Sequence, residues 1–370
     1  MKPRPRDAVQ GDAAQDTPLM RCIRERIALN GPMGVAAYMD LCLNDPDHGY
    51  YATRRPIGAA GDFTTAPEVS QMFGELIAMW AAAVWQASGR PPVALVEIGP
   101  GRGTLMRDMA RAVTSVSGFA PALHLVETSR SLTKQQRETL GGTDATWHVS
   151  VEETRTALAD MPAIWIANEL LDALPVEQFV RRGDGWHDRT ITTGEKGLAF
   201  AIGEPADVGC DAPDGTVLER SAPREAMVRD LARDVASHGI AALFFDYGSF
   251  TGGTGDTLQA VARHRRVDPL ATPGEADLTS HVDFAALAAI ACEEGCEVET
   301  TSQGALLLRL GLLERAGRLG ASADEAVRER LRGEVERLAA PAQMGELFKV
   351  MALRPAGTPP PPGFHDEVPR

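Results

Sequence analysis

The stretch Glu97-Ile98-Gly99-Pro100-Gly101-Arg102-Gly103-Thr104-Leu105 sets a carboxylate ahead of three glycines at alternate positions. A short apolar run from Val93 leads into it, and helical spacing follows from Leu105 to Val113. Glycine lets the backbone turn sharply and lets a ligand approach it closely. The helix start behind it offers unpaired N–H groups to a negative group. No Lys-Ser/Thr follows, so this is not a Walker loop, and the third glycine comes one residue early for G-x-G-x-x-G. A carboxylate just inside the strand suits a ligand with an ammonium group, which a pyrophosphate site does not require. The plain alternative is an ordinary strand-to-helix turn. The glycine density and Glu97 favour a ligand site made by Glu97, Gly99, Pro100, Gly101, Gly103 and Thr104.

Glu127 directly follows the strand-like run Leu123–Val126. An acid there can accept two hydrogen bonds from ribose hydroxyls. Alone, it could equally be a helix N-terminal acid. Paired with the glycine motif, it indicates a nucleoside joined to an amino-acid zwitterion without phosphate, which describes S-adenosylmethionine (SAM). Such a cofactor brings a methyl on a sulfonium, and the protein must align an acceptor for in-line attack.

Three further motifs border this reading. Asn168-Glu169-Leu170-Leu171-Asp172 gathers an amide and two carboxylates at the end of the expected fourth strand, the edge where open α/β sheets place reacting groups. A capped turn is its bland alternative. Asp246-Tyr247-Gly248 ends the expected fifth strand, where Asp246 could be merely structural. Gly61-Asp62-Phe63, before Thr65-Ala66-Pro67-Glu68, could form a lid or a plain loop.

These groups need a scaffold. Strand-like runs at 93–98, 122–126, 146–149, 163–167, 240–246, 297–302 and 347–354 alternate with helical segments, the pattern of a parallel sheet with helices on both faces. Thr65 to Glu68 reads as a capping box opening a helix that runs to about Trp85. Residues 176–182 and 186–192 read as an inserted hairpin turning at Gly183-Asp184-Gly185, and Thr279 to Glu294 as one helix. The expected organisation is a disordered tail at 1–18 and a helical lid region at 19–92. A methyltransferase domain then spans 93–354, with insertions near 176–238 and 304–340, and a Pro-rich tail covers 355–370.

The chain has 370 residues, 44% hydrophobic and 24% charged, which excludes a wholly disordered or collagen-like protein. Its formal charge of −14 disfavours a nucleic-acid partner and favours a cationic one. No apolar run is long enough to span a bilayer, so no membrane insertion is expected. Met1 to Thr17 lacks the features of a signal peptide or organelle presequence, so a cytoplasmic location is expected. Five scattered cysteines and eight scattered histidines give no zinc spacing, and no metal is expected.

The sequence resembles the MidA-type SAM-dependent methyltransferases, whose mitochondrial member is a complex I assembly factor that methylates a protein arginine. The resemblance rests on Gly31-Pro32-Met33 with Tyr38-Met39, Asp45-Pro46 through Tyr51, Gly61 through Glu68, Glu97 through Leu105, and Asn168 through Pro175. It continues with Asp246-Tyr247-Gly248, Gly255 through Gln259 and Asp277 through Phe284. It implies a Rossmann-like, seven-stranded class I fold with an antiparallel last strand. It also implies that Gly61, Asp62 and Phe63 fold over SAM, that the glycine motif holds its methionine part, and that Glu127 holds the ribose. The implied acceptor is an arginine of a protein, such as a quinone-side subunit of complex I. Two departures stand out. Asn168-Glu169-Leu170-Leu171 replaces the amino-methyltransferase N-P-P-Y turn, and no acid follows the third strand at His148-Val149-Ser150, so the adenine contacts stay unassigned.

A guanidinium is planar, cationic and a poor nucleophile, and carboxylates can hold it by forked hydrogen bonds. Glu169 is the first candidate for this catalytic role and Asp172 the second. Asn168 stands beside them and also borders the cofactor. Asp246 and Tyr247 complete the expected acceptor site. A homodimer is left open. The rival readings are a small-molecule methyltransferase and an assembly chaperone that binds SAM without turnover.

Overall fold

Two apolar runs carry the architecture. Ala94–Ile98 (β1) and Ala163–Asn168 (β4) are buried along their whole lengths, as strands covered on both faces must be. The computed structural model describes residues 17–53, 64–263 and 265–365. β1 pairs in parallel with Ala122–Val126 (β2) on one side and with β4 on the other. Thr146–His148 (β3) extends the sheet beyond β2, and Ala241–Ser249 (β5) extends it beyond β4, both parallel. Phe348–Pro355 (β7) is antiparallel to both β5 and Cys296–Ser302 (β6). The order is therefore β6-β7-β5-β4-β1-β2-β3, with the short strand Val282–Asp283 added alongside the end of β5. The chain leaves β1 for β2 on one side and later returns to β4 on the other. This reversal opens a crevice at the carboxyl ends of β1 and β4. The order and the antiparallel β7 match the expected class I fold.

The chain divides into two compact units. The sheet belongs to the unit formed by residues 64–171, 225–252 and 282–370. Its core joins Phe73, Ile77 and Trp80 of helix α1 (Gln71–Ala87) to Leu105, Met106 and Met109 of helix α2 (Thr104–Val113) and to Leu95, Ile164, Leu243 and Val350 of the sheet. The other unit comprises residues 1–63, 172–224 and 253–281. It holds a five-stranded antiparallel sheet built on Glu177–Arg182, Gly185–Gly194, Gly197–Ala206 and Val217–Arg220, with Met33–Gly34 at its edge. A three-stranded sheet and the helices Pro18–Asn30 and Val35–Asn44 complete it around Leu19, Ile23, Tyr38, Met39 and Ile191.

Several expected boundaries change. The division does not fall at 92/93: residues 64–92 belong with the seven-stranded sheet, and residues 253–281 join the hairpin in the other unit. Thr65 forms no capping box, because its side chain makes no cap hydrogen bond and the chain extends at Ser70 after one turn, Ala66–Val69. Ser70 caps α1 instead, accepting from Met72 N. The helix expected from Thr279 begins at Phe284, where Asp283 accepts from Ala286 N; strands Asp277–Thr279 and Val282–Asp283 precede it. Thr17 caps the first helix, so residues 17 and 18 leave the expected N-terminal tail, whose residues 1–16 lie outside the described residues. In the Pro-rich segment residues 356–360 are exposed, whereas Pro361, Gly363 and Phe364 are buried and Gly363 O accepts from Arg309.

Candidate functional site

At the end of β1 the three glycines all take positive φ: 64° at Gly99, 52° at Gly101 and 81° at Gly103. Each position is in the left-handed region that glycine alone enters freely. At two of them a side chain would also press on a leucine tip. A Cβ on Gly99 would lie 2.7 Å from Leu170 Cδ1, and one on Gly103 3.0 Å from Leu140 Cδ1. The left-handed backbone, more than these contacts, sets glycine at both positions. Glu97 is buried beneath the turn. Met106 N–H reaches its carboxyl, yet among the described residues Oε2 has no hydrogen-bond partner. Burial pushes Glu97 up to about 8, the Met106 N–H pulls it down, and the nearby Glu127 charge pushes it up.

Glu127 lies half-buried just past β2. Its Oε1 accepts from Ser129 N at 2.7 Å and its Oε2 from Gln136 Nε2 at 2.9 Å. Burial raises its pKa against these donors. Thr104, expected beside the cofactor, gives its hydroxyl to Glu68 Oε1 at 2.5 Å, and Arg102 meets Glu68 Oε2 at 3.3 Å. Pro100 is buried in the turn.

At the end of β4, Asn168 is 9% exposed, and among the described residues its Oδ1 has no hydrogen-bond partner. Glu169 follows at φ +51°, an uncommon state for a non-glycine residue that marks local strain. Its N–H donates to Phe245 O on β5, and its Oε1 accepts from Ala66 N at 2.8 Å and from Asn168 Nδ2 at 3.2 Å. On β5, Asp246 is wholly buried, and its Oδ1 accepts from Tyr247 N. Asp246, expected at the acceptor site, is thus buried like Glu97. Half-buried Tyr247 packs edge-on against Phe348. Gly61, Asp62 and Phe63 lie outside the described residues.

Asp172, within the same sequence motif, belongs to the other unit. Asp172 is buried there. Its carbonyl accepts from Ser280 N and from Arg224. The buried Arg224 guanidinium also donates to Leu174 O, Ser280 O and Oγ, and His281 O.

Residues 76–302 match the family of S-adenosyl-L-methionine-dependent methyltransferases. The chain belongs to that family. It is 33% identical to the protein arginine methyltransferase NDUFAF7 of Mus musculus, covering 93% of this chain and 86% of that protein. The Drosophila melanogaster homologue is 34% identical over 91% of this chain and 85% of its own. A solved protein from Burkholderia thailandensis, bound to S-adenosyl-homocysteine, superposes with a TM-score of 0.82 and 28% identity, covering 95% of both chains.

The protein is thus a SAM-dependent methyltransferase, and the residues present fit that cofactor. The unpartnered Glu97 Oε2 is an acceptor suited to an ammonium, and Glu127 keeps lone pairs for hydroxyl donors beyond the two it accepts. The curated relatives also overturn the cytoplasmic location expected from the N-terminal residues, since they are named as mitochondrial proteins. Among the described residues, no helix is long and apolar enough to cross a membrane. Sequence reasoning missed Gln136, Arg224 and the part played by Glu68. An isolated glutamine on a polar helix and an arginine on an amphipathic one carry no motif. Glu68 was credited to a capping box.

Proposed function

We propose that this methyltransferase modifies an arginine side chain of a protein, a subunit of respiratory complex I or its homologue. The observation that carries the reading is the acceptor-rich lip at the end of β4, where the unpartnered Asn168 Oδ1 stands beside the Glu169 carboxylate. Such a lip suits N–H groups on a cation. The formal charge of −14 and the names of the curated relatives support the same acceptor.

SAM supplies an electrophilic methyl group, lost as its C–S bond breaks and sulfur keeps the electron pair. Glu97 would hold the cofactor's ammonium, the turn at Gly99, Pro100, Gly101, Gly103 and Thr104 its methionine part, and Glu127 its ribose. Asn168, bordering both sites, would take a guanidinium N–H. Glu169 would orient the guanidinium so that one nitrogen faces the methyl. The proton this nitrogen sheds passes to a carboxylate or to water. Asp172 is the alternative to Glu169 for this role, and Tyr247 would flank the acceptor.

The test is methyl transfer from labelled SAM to a peptide of the quinone-side subunit of complex I, compared with its Arg→Lys version. Arginine-dependent labelling is expected, and equal labelling of both peptides would refute arginine as acceptor. Glu169→Gln should leave SAM binding nearly intact and slow transfer by at least about tenfold, roughly 1.4 kcal/mol in the barrier. A fully active variant would move the role to Asp172.

A further inference from the structure

Gln136 lies on helix α3 (Arg130–Leu140), a polar helix on which only Gln136 and Leu140 are buried. A wholly buried amide is costly unless every polar atom is satisfied. Here each has a partner. Nε2 donates to Gly101 O at 2.8 Å and to Glu127 Oε2 at 2.9 Å, and Oε1 accepts from Trp147 Nε1 at 3.0 Å. The amide cannot be turned over, because its oxygen would then face a carbonyl and a carboxylate while its nitrogen faced an indole N–H. The Arg137 guanidinium lies 4.0 Å over the Trp147 ring and backs that partner. One side chain therefore fixes the carbonyl of the left-handed Gly101 and the carboxylate of Glu127 at the same time.

We infer that Gln136 is a positioning residue for the cofactor: it holds the Glu127 carboxylate in register with the glycine turn, so that both ends of SAM are met together. The inference rests on Glu127 as the ribose acceptor. Ser129 N and Gln136 Nε2 each take one carboxylate oxygen and the Thr128 N–H also reaches the carboxyl, so the lone pairs left to Glu127 have a set direction toward neighbouring hydroxyls. A carboxylate freed from Gln136 would rotate and grip a single hydroxyl nearly as well as two.

The experiment measures affinity for SAM and for its 2′-deoxy analogue by calorimetry in wild type, Gln136→Met, Trp147→Phe and Glu127→Gln. Gln136→Met keeps the length of the side chain and removes all three hydrogen bonds. It should weaken SAM binding at least about tenfold and shrink the preference for SAM over the analogue. Trp147→Phe removes one hydrogen bond from the same amide but leaves both donors in place, and should keep that preference. If Trp147→Phe loses the preference as fully as Gln136→Met, packing explains both and the inference falls. It falls also if Gln136→Met discriminates as wild type does while Glu127→Gln does not. Undiminished discrimination in Glu127→Gln would instead remove the ribose reading itself. Should Gln136→Met fail to fold, Gln136→Glu keeps the volume and sets a second carboxyl against Glu127. Its SAM affinity relative to wild type should then fall as pH rises and both groups ionise, and a ratio to wild type that does not change with pH would overturn the inference.

Discussion

Glu97 and Asn168 stand at the carboxyl ends of neighbouring parallel strands, and each keeps one buried oxygen that no described group satisfies. An unsatisfied buried polar atom costs roughly 1 to 3 kcal/mol, and each of these strand ends carries one. Both are relieved by cations. In the proposed function, one is the ammonium of the cofactor and the other the guanidinium of the acceptor.

The first prediction concerns protons. Burial, opposed by the Met106 N–H and aided by Glu127, holds Glu97 near 8, so at pH 7 it is mainly protonated. An ammonium beside it favours the carboxylate. SAM binding at pH 7 should therefore expel a proton, and affinity should rise with pH up to about 8. Calorimetry at pH 7 in buffers of different ionisation enthalpy should give different heats, which converge in Glu97→Gln and in wild type at pH 9. Equal heats for wild type at pH 7 would remove Glu97 from the ammonium site.

A second prediction follows from the same group in the free protein. Its folded pKa of about 8 lies above the ordinary 4.5, so the folded state binds more protons between those values. The stability contributed by the protonated carboxyl is complete below about 4.5 and is lost as pH rises through 8. Glu97→Gln mimics the protonated form at every pH. Without SAM it should match wild type near pH 4.5 and exceed it by at least about 1 kcal/mol at pH 8. Melting curves across this range decide; an unvarying gap between the two proteins would contradict the assignment.

The sheet was legible because its strands are short apolar runs that end in glycine or polar motifs, as at Ile98-Gly99 and Asn168-Glu169. The candidate cofactor residues were chosen on the same ground: Glu97, Gly101 and Glu127 stand at fixed offsets from strand ends. Residues whose meaning comes from distant partners were not. Gln136 meets Gly101 and Trp147, and Arg224 meets Ser280, across separations that no local pattern records. Thr65 to Glu68 shows the opposite failure. Its local pattern fits a capping box, but Glu68 is drawn instead to Arg102 and Thr104. The two-unit division escaped because residues 253–281 join a hairpin that lies earlier in the chain.

A third prediction concerns Arg224, whose guanidinium serves four carbonyls and the Ser280 hydroxyl. Arg224→Met would leave these buried acceptors without their donor, a loss of about 3 kcal/mol or more. Arg224→Lys, with three donors and no fork, should fall between. Hydrogen exchange should accelerate around Asp172–Leu174 and at Ser280 before global unfolding. Protection unchanged in Arg224→Met would show that the guanidinium holds nothing in place there.

The last prediction concerns Glu68. The turn Ala66–Val69 is tied to the end of β4 by Ala66 N donating to Glu169, and to the end of β1 by Glu68 meeting Thr104 and Arg102. Glu68 thus holds the first residue of α2, where the unpaired N–H groups of the helix start face the glycine turn. Glu68→Ala should weaken SAM binding about fivefold or more, and Glu68→Gln less, since its amide oxygen still accepts from Thr104. If the Thr104 hydroxyl is the contact that matters, Thr104→Val should produce most of the same loss. The double variant should then cost clearly less than the two single losses added together. Calorimetric affinities for the four proteins complete the cycle. Losses that add to within about 0.5 kcal/mol would show that the two side chains act independently, and the tie between this turn and the glycine motif would have to run through Arg102 alone.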